Sequence, residues 1–485
     1  MPLVSFSKAP LSQAALDDAA TTAAILPRPD EDDTPAPGSQ LRQYFVATAA
    51  TMGAFAGGTT LGWPSAAVPM LEHSLGISKE EGSWIVSLLA LGAMVGAPPS
   101  GLLVQTVGRK VAVASLALPF ILSYVLLLSV SSLPWIYVAR FLAGMALGGV
   151  CLSIPIYVAE IAEDHVRGAL GALLQVMFNI GLLFAYAVGA ADNYLVLNAS
   201  CLLVPILFFA AFVWMPESPV FLLSKGRTSE AHRALQWLRG PLHNTQFEMQ
   251  KLEAAALEDA RQKTSWRSTV TNRATVRALV ISLGLVAFQQ LSGVCVVFSY
   301  TEKIFEMAGS SLSPSLSAVL VGLVMLAMSY VTTVLVDRTG RKVLLLSSSV
   351  LMAVAHGLLG LYLALSPLPG WSWLPLFSVL LYISMYCAGL GPLPWTVMAE
   401  VLPANVKGQA GSLVSCFCWA LSFAVTKVFV NLEQGIGLHF TFWLFGLCCA
   451  FSAVFVALMV PETKGKSLQQ IQEELEGRKK IPRIV

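Results

Sequence analysis

Residues 289–297 read QQLSGVCVV, inside an apolar run that begins near Ala278. Two adjacent amides in such a run have a chemical use. Each carboxamide donates and accepts at once, as a ligand covered in hydroxyls requires of a pocket, and Gly293 lets the helix bend or a neighbour approach. They also have a structural use, because polar side chains in membrane helices bond to neighbouring helices for about 0.6–2 kcal/mol per contact. The residues alone leave both readings open.

A second set of chemically active residues is charged and doubled. GRK occurs at 108–110 and again at 340–342, 232 positions on. Glu160 precedes Arg167 by seven positions, and Glu400 precedes Lys407 by seven, 240 positions on. PES at 216–218 is matched by PET at 461–463, 245 positions on. Three local patterns recurring in order at nearly constant spacing indicate two related halves, an architecture that allows a solute site between them near the bilayer midplane. Arg109, Glu160, Arg167, Asp337, Arg338, Arg341, Glu400 and Lys407 all map to helix ends on one face. Pairs between elements that part would hold a gate shut, and at ~0–1 kcal/mol per exposed pair a few of them make a lock that can still open. A single GRK reads equally well as topology alone; a doubled set with matching carboxylates favours the gate.

The elements that position these residues are membrane helices. The 485-residue chain is 56% hydrophobic and 12% charged, with a mean hydropathy of +0.70, whereas soluble domains carry about a quarter charged residues. A spanning helix needs roughly 20 apolar residues. Twelve runs meet that need, near 44–70, 84–105, 111–131, 134–158, 168–191, 194–215, 276–298, 315–336, 343–366, 372–399, 409–431 and 438–460. The expected fold is an all-α integral membrane protein of twelve transmembrane helices in two six-helix halves. The expected organisation is a disordered cytoplasmic tail (1–43), an amino-terminal half (44–215), a cytoplasmic linker with short helices (216–275), a carboxy-terminal half (276–460) and a cytoplasmic carboxy-terminal tail (461–485). In the linker, Ala231, Leu235 and Leu238 share one helix face, as do Phe247, Leu252 and Leu257. Ser467 followed by Gln470 fits a capping box for a last short helix.

Arg and Lys crowd the connections on the side of both termini, and the opposite side holds little more than Lys79 and Lys303. The positive-inside rule makes that crowded side cytoplasmic. The first 43 residues lack a basic start and an apolar stretch, so no signal peptide is expected. All eight cysteines fall in apolar spans, and Cys416 and Cys418 lack an accompanying His or carboxylate, so no metal site is expected. No phosphate-cradling loop exists, which leaves ATP-driven transport without an engine. Neither cofactor nor nucleic-acid partner is implied.

On these residues the chain resembles a sugar porter of the major facilitator superfamily, most similar to animal facilitative hexose carriers and insect trehalose transporters. The motifs are RFLAGMALGG at 140–149, YVAEIAEDHVRGALGALLQ at 157–175, PESPVFLL at 216–223, QQLSGV at 289–294, DRTGRK at 337–342, GPLPW at 391–395, AEVLPANVKG at 399–408 and PETKGKSL at 461–468. The resemblance implies a major facilitator fold and a sugar bound by Gln289 and Gln290, with Gln175 matching them in the amino half, Asn179 one turn away, and Trp395 and Trp419 as aromatic walls. It also marks departures. Positions that are usually polar in relatives are Cys295, Met325, Cys387 and Cys418 here, which implies weak hexose binding or a less polar solute. The first GRK follows QTV instead of an Asp-Arg pair, implying a weaker gate in the amino half.

Proton-driven carriers need a titratable group in the transport path. The first span, TAATMGAFAGGTTLGWPSAAVP, has none, so passive uniport is expected. His356, deep in the ninth span, reads as structural. The expected partners are a small solute and the lipid bilayer, the expected state is a monomer, and the expected location is the plasma membrane. Asn198 begins a glycosylation sequon inside a span, where modification is not expected. The alternatives are a solute sensor on a carrier fold, or a carrier of a non-sugar solute.

Overall fold

In lipid every backbone N–H and C=O must find its partner inside the protein, so long uncharged runs fold as helices. The computed structural model describes residues 39–129, 132–240, 244–261, 272–309, 312–365, 370–466 and 468–476. Among them, eleven helices are long and apolar enough to cross a bilayer. Gln40–Leu75 is the other span, uncharged between Arg42 and Glu72 but rich in Gly, Ala and Thr. The spans that follow it are Lys79–Thr106, Arg109–Ser129, Leu133–Ile161, Arg167–Gly189 and Tyr194–Phe212. The second half comprises Arg273–Ala308, Pro314–Thr339, Arg341–Leu365, Leu374–Val401, Ala404–Ile436 and Leu438–Met459. The chain is an all-α integral membrane protein with twelve spans in two six-helix halves. Both ends of the described chain lie on one face, here the terminal face; the other is the far face.

The helices outrun the apolar windows. The first was expected at 44–70 and the eleventh at 409–431, but they extend over Gln40–Leu75 and Ala404–Ile436. Apolar length sets only the part that crosses lipid, and the ladder continues through charged turns on either side. Those added turns carry Glu72 and Glu433.

Within the amino half the second span packs on the fourth and the first on the fifth. A Cβ at Gly58 would overlap the Phe178 carbonyl, and one at Gly181 would overlap that of Phe55. Small residues thus let two backbones touch where lipid offers no hydrophobic drive for association. Buried Arg140 ties three spans together, donating to the carbonyls of Ile85 and Thr60 at 3.0 Å each and lying over the Trp63 ring. The halves meet where the second span lies on the eleventh and the fifth on the eighth.

Two spans are broken near their middles. The seventh consists of Arg273–Leu291 and Val294–Ala308, the tenth of Leu374–Ala388 and Leu393–Val401. At the first break Gly293 has φ +81°, and a Cβ there would sit 2.6 Å from the Phe445 ring. It both bends the helix and admits a neighbour.

The linker folds as Thr228–Arg239 and Gln246–Arg261. Ala231, Leu235 and Leu238 are buried as expected. The second helix is turned differently from its expected face: Phe247 is 51% exposed while Met249 is buried and joins Leu222, Ala231 and Leu235, with Leu252 beside them. The packed face repeats at 245, 249 and 252, a period the single aromatic obscured. The side chain of Leu257, the 1–43 tail before Ser39 and the cap Ser467 lie outside the described residues. The last helix, Leu468–Glu476, buries Ile471 and Leu475.

Candidate functional site

The QQLSG stretch sits at the break in the seventh span and reaches the break in the tenth. Gln289 Nε2 donates to the carbonyls of Leu390 (3.0 Å) and Gly391 (2.7 Å). Those carbonyls are released because the helix stops at Ala388, so Gln289 satisfies backbone that lipid could not. Ser292 Oγ donates to the Gln289 carbonyl at 2.7 Å and lies 3.1 Å from the Tyr382 hydroxyl. His356 Nε2 lies 3.0 Å from the Ser292 carbonyl, packed against Tyr382, which is the structural role expected of it.

Gln290 faces the other way, into a set of thiols. Its Nε2 donates to Cys418 Sγ at 3.1 Å, and its Oε1 accepts from Cys295 Sγ at 3.2 Å. Ser422 Oγ donates to Cys295 Sγ at 3.1 Å. Tyr386 stands among Cys295, Cys387 and Cys418. Sulfur is a weak hydrogen-bonding partner, so this amide can exchange its contacts for hydroxyls at little cost. Trp395 packs with Cys418, whereas Trp419 packs into the main core. On the amino side, Gln175 is exposed at mid-span and donates to Asn179 Oδ1 at 3.1 Å. Asn179 Nδ2 crosses to the eighth span, reaching Ser329 Oγ at 2.5 Å and the Met325 carbonyl at 3.3 Å. The amides therefore form two groups, one on each half. Ser329, Ser422 and Tyr386 were not legible as neighbours of these groups, since nothing in the sequence fixes which span faces which.

Asn198 is fully buried. Its Oδ1 accepts from Trp63 Nε1 at 2.8 Å and its Nδ2 donates to the Tyr194 carbonyl at 2.8 Å, so the sequon amide is engaged at both ends. All eight cysteines are free thiols, and among the described residues no group of His, Cys, Asp and Glu is placed to hold a metal ion.

The doubled charges form one cluster in each half. In the amino half Arg109 grips Glu160 through Nε (3.1 and 2.9 Å) and Nη2 (2.8 Å), and Ser218 Oγ donates to Glu160. Glu217 Oε1 accepts the backbone N–H groups of Arg109 and Lys110 at 3.0 and 2.9 Å, capping the third span where a helix dipole favours negative charge. Gly108 has φ +132°, and a Cβ on it would strike that carboxylate, which explains why GRK and PE[ST] recur together.

In the carboxy half Arg341 reaches Glu400 at 3.3 and 3.2 Å, and Glu462 caps Arg341 and Lys342 at 3.1 Å each. Burial works against ionisation of Glu462, but the N–H groups of Lys464, Arg341, Lys342 and Thr463 outweigh it and hold the carboxyl below its ordinary range. A cavity of about 330 Å³ opens beside this cluster, lined by Arg341, Glu400, Thr463 and Lys466 among others. Arg167 pairs with Asp164 at 2.8 Å, Arg338 and Lys407 are exposed, and the Asp337 side chain lies outside the described residues. The gate was expected to consist of pairs between parting elements. Among the described residues, every ion pair of these clusters stays inside one half, because each helix-end carboxylate meets the arginine of its own duplicated unit.

Contacts between the halves lie from the midplane to the far face. Lys79 bonds Glu433 at 3.1 Å, Lys303 bonds Glu72 at 2.9 Å and Lys427 bonds Ser83 at 2.8 Å. Tyr186 donates to the Phe298 carbonyl at 2.7 Å. At the terminal face the clusters of the two halves, Arg109 with Glu160 and Arg341 with Glu400, are each closed within their own half.

A twelve-span fold with duplicated charge clusters and a polar group at two broken helices is the architecture of a solute carrier. The family model for sugar (and other) transporters matches residues 30–475, and the chain belongs to that family. It is 36% identical over 447 residues to the facilitated trehalose transporter Tret1 of Bombyx mori, covering 91% of this chain and 88% of that protein. It is likewise 36% identical to the Tret1-2 homologue of Drosophila simulans, over 85% of this chain and 86% of that one. Among solved structures, the inward-open xylose transporter XylE of E. coli superposes with a TM-score of 0.76 at 23% identity, over 89% of this chain and 99% of that one. The XylE proton:xylose symporter bound to 6-bromo-6-deoxy-D-glucose gives 0.74 at 24%, over 90% and 99%; these likenesses concern the fold.

Proposed function

We propose that this chain is a passive carrier of a sugar, a hexose or a disaccharide such as trehalose, working by alternating access as a monomer. The observation that carries the reading is the Gln290 amide beside the break in the seventh span, whose partners are two thiols and, at 3.4 Å, the Gln289 Oε1. A hydroxyl bonds an amide better than a thiol does, so sugar displaces weak partners there, whereas Gln289 is committed to backbone. Kinship with facilitated trehalose transporters supports the solute class. The substrate set is Gln175, Asn179, Gln290, Cys295, Cys387, Trp395, Cys418 and Trp419, with Gln289 shaping the wall. The absence of Asp, Glu or His between Arg42 and Glu72 in the first span supports uniport.

In this reading the terminal face is cytoplasmic, the membrane is the plasma membrane, and Arg109, Glu160, Arg167, Asp337, Arg338, Arg341, Glu400 and Lys407 form the inner gate. The clusters brace each half, and exposed Arg167, Arg338 and Lys407 meet the opposite half when the mouth closes. The test is uptake of radiolabelled glucose, fructose, trehalose, a polyol and a less polar glycoside by proteoliposomes, with Gln290→Ala alongside. Saturable uptake of one of the sugars, lost in Gln290→Ala, is expected. No uptake of any sugar by folded protein sinks the reading.

A further inference from the structure

The charged residues fall into two chemical styles. The clusters within each half use arginine, whose planar fork grips a carboxylate at several points, as Arg109 does on Glu160. Three ionic contacts between the halves use lysine: Lys79 with Glu433 at 3.1 Å, Lys303 with Glu72 at 2.9 Å, and Lys427 toward Glu80 at 3.8 Å. Lysine is a point charge on a flexible stem whose donors rotate, so it holds a partner without a fixed fork geometry. Arginine suits joints that persist, and lysine suits joints that open and re-form.

Two of these contacts cross between the same helices. The start of the second span offers Lys79 then Glu80, and the eleventh offers Lys427 then Glu433, so opposite signs meet in one register. Lys427 also lies over the Trp84 ring at 4.4 Å, and Trp84 packs against Phe423 of the eleventh span, which carries Lys427. One member of each pair is withdrawn from water, with side-chain exposures of 9% for Glu433, 12% for Lys303 and 16% for Lys427. Salt screens such pairs less than fully exposed ones.

We propose that Lys79, Lys303 and Lys427 form the outer lock of the carrier, setting how much of the empty protein opens to the far face. This rests on the alternating-access reading but not on any particular sugar. It also gives Lys79 and Lys303, the exceptions to the charge asymmetry, a reason to be there.

The test uses the full chain with a reporter, Ser65→Cys, at a buried far-face position whose hydroxyl accepts the Glu302 backbone N–H. An impermeant maleimide applied from the far face labels it only when the seam parts. Each of Lys79→Gln, Lys303→Gln and Lys427→Gln is expected to raise the labelling rate roughly two- to fivefold, the equivalent of one weak ion pair. The three together are expected to multiply the effect. Exchanging the charges, Lys79→Glu with Glu433→Lys, should return the rate to that of the parent, which distinguishes a lock from damaged packing. Raising ionic strength should speed labelling of the parent more than of the triple variant. Equal labelling in parent and triple variant, or a double exchange that labels as fast as Lys79→Gln alone, overturns the proposal. The readout needs no transported solute, so it stands or fails separately from the sugar assignment.

Discussion

The two terminal-face clusters descend from one pattern, yet they are not equally tight. In the amino half Ser218 completes Glu160 and Arg109 binds it at 2.8–3.1 Å. At the matching positions in the carboxy half, Arg341 stands 3.2–3.3 Å from Glu400. Glu400 Oε2 and Thr463 Oγ1 are buried with no partner among the described residues. The following segment repeats the contrast. Arg239, buried between Glu163 and Glu248, donates to the Ile161 carbonyl at 2.9 Å, while Gln472 serves the equivalent Val401 carbonyl at 2.5 Å. Duplication therefore preserves where the joints are, and later substitution decides how firmly each one holds. The joints of the amino half are the more completely bonded, and those of the carboxy half the less.

The sharpest way to break this comparison is Arg239→Ala. It removes the arginine shared by Glu163 and Glu248 and is expected to cost about 3–5 kcal/mol, as removal of one partner of a buried pair does, whereas Gln472→Ala should cost about 1 kcal/mol. Thermal unfolding of the purified variants measures both, and equal losses would refute the asymmetry. Next, Arg109→Gln should cost about 2–3 kcal/mol and Arg341→Gln about 1 kcal/mol, following the number and length of the bonds each makes. Ser218→Ala should cost about 1 kcal/mol, while Thr463→Val, which removes a hydroxyl that bonds nothing, should fall within about 0.5 kcal/mol of the parent. A costly Thr463→Val would mean that the carboxy cluster is as complete as the amino one.

The smallest effect is in pH. The folded carboxyl of Glu462 lies below its ordinary value because its backbone hydrogen bonds outweigh burial. Its contribution is therefore fully present above the ordinary carboxylate range and is lost as pH falls through the lowered folded value. An acid series of melting curves should show a limb that Glu462→Gln flattens; an unchanged limb would place the acid sensitivity elsewhere.

Much of this was legible in the sequence because it depends on spacing. Apolar length fixed the spans, and the recurrence of GRK, Glu-x6-Arg/Lys and PE[ST] exposed the halves. The structure adds why GRK needs PE[ST]: glycine leaves room for the carboxylate that caps the next helix. What spacing could not convey was partnership. Nothing in the order of residues says that Glu160 finds Arg109 in its own half instead of a cation across the mouth, or that Gln290 is held by Cys295 and Cys418. Lys427 was invisible for a related reason, lying in a span where a lone cation has no partner in sequence and three across the seam.

Passive sugar exchange at the Gln290 site is tested most directly by counterflow. Vesicles preloaded with unlabelled trehalose, or with whichever sugar the uptake panel identifies, are diluted into a trace of labelled sugar with a protonophore present. A transient overshoot of label that persists without any proton gradient and disappears in Gln290→Ala is the predicted result. An overshoot abolished by the protonophore, or none with any sugar, would contradict it.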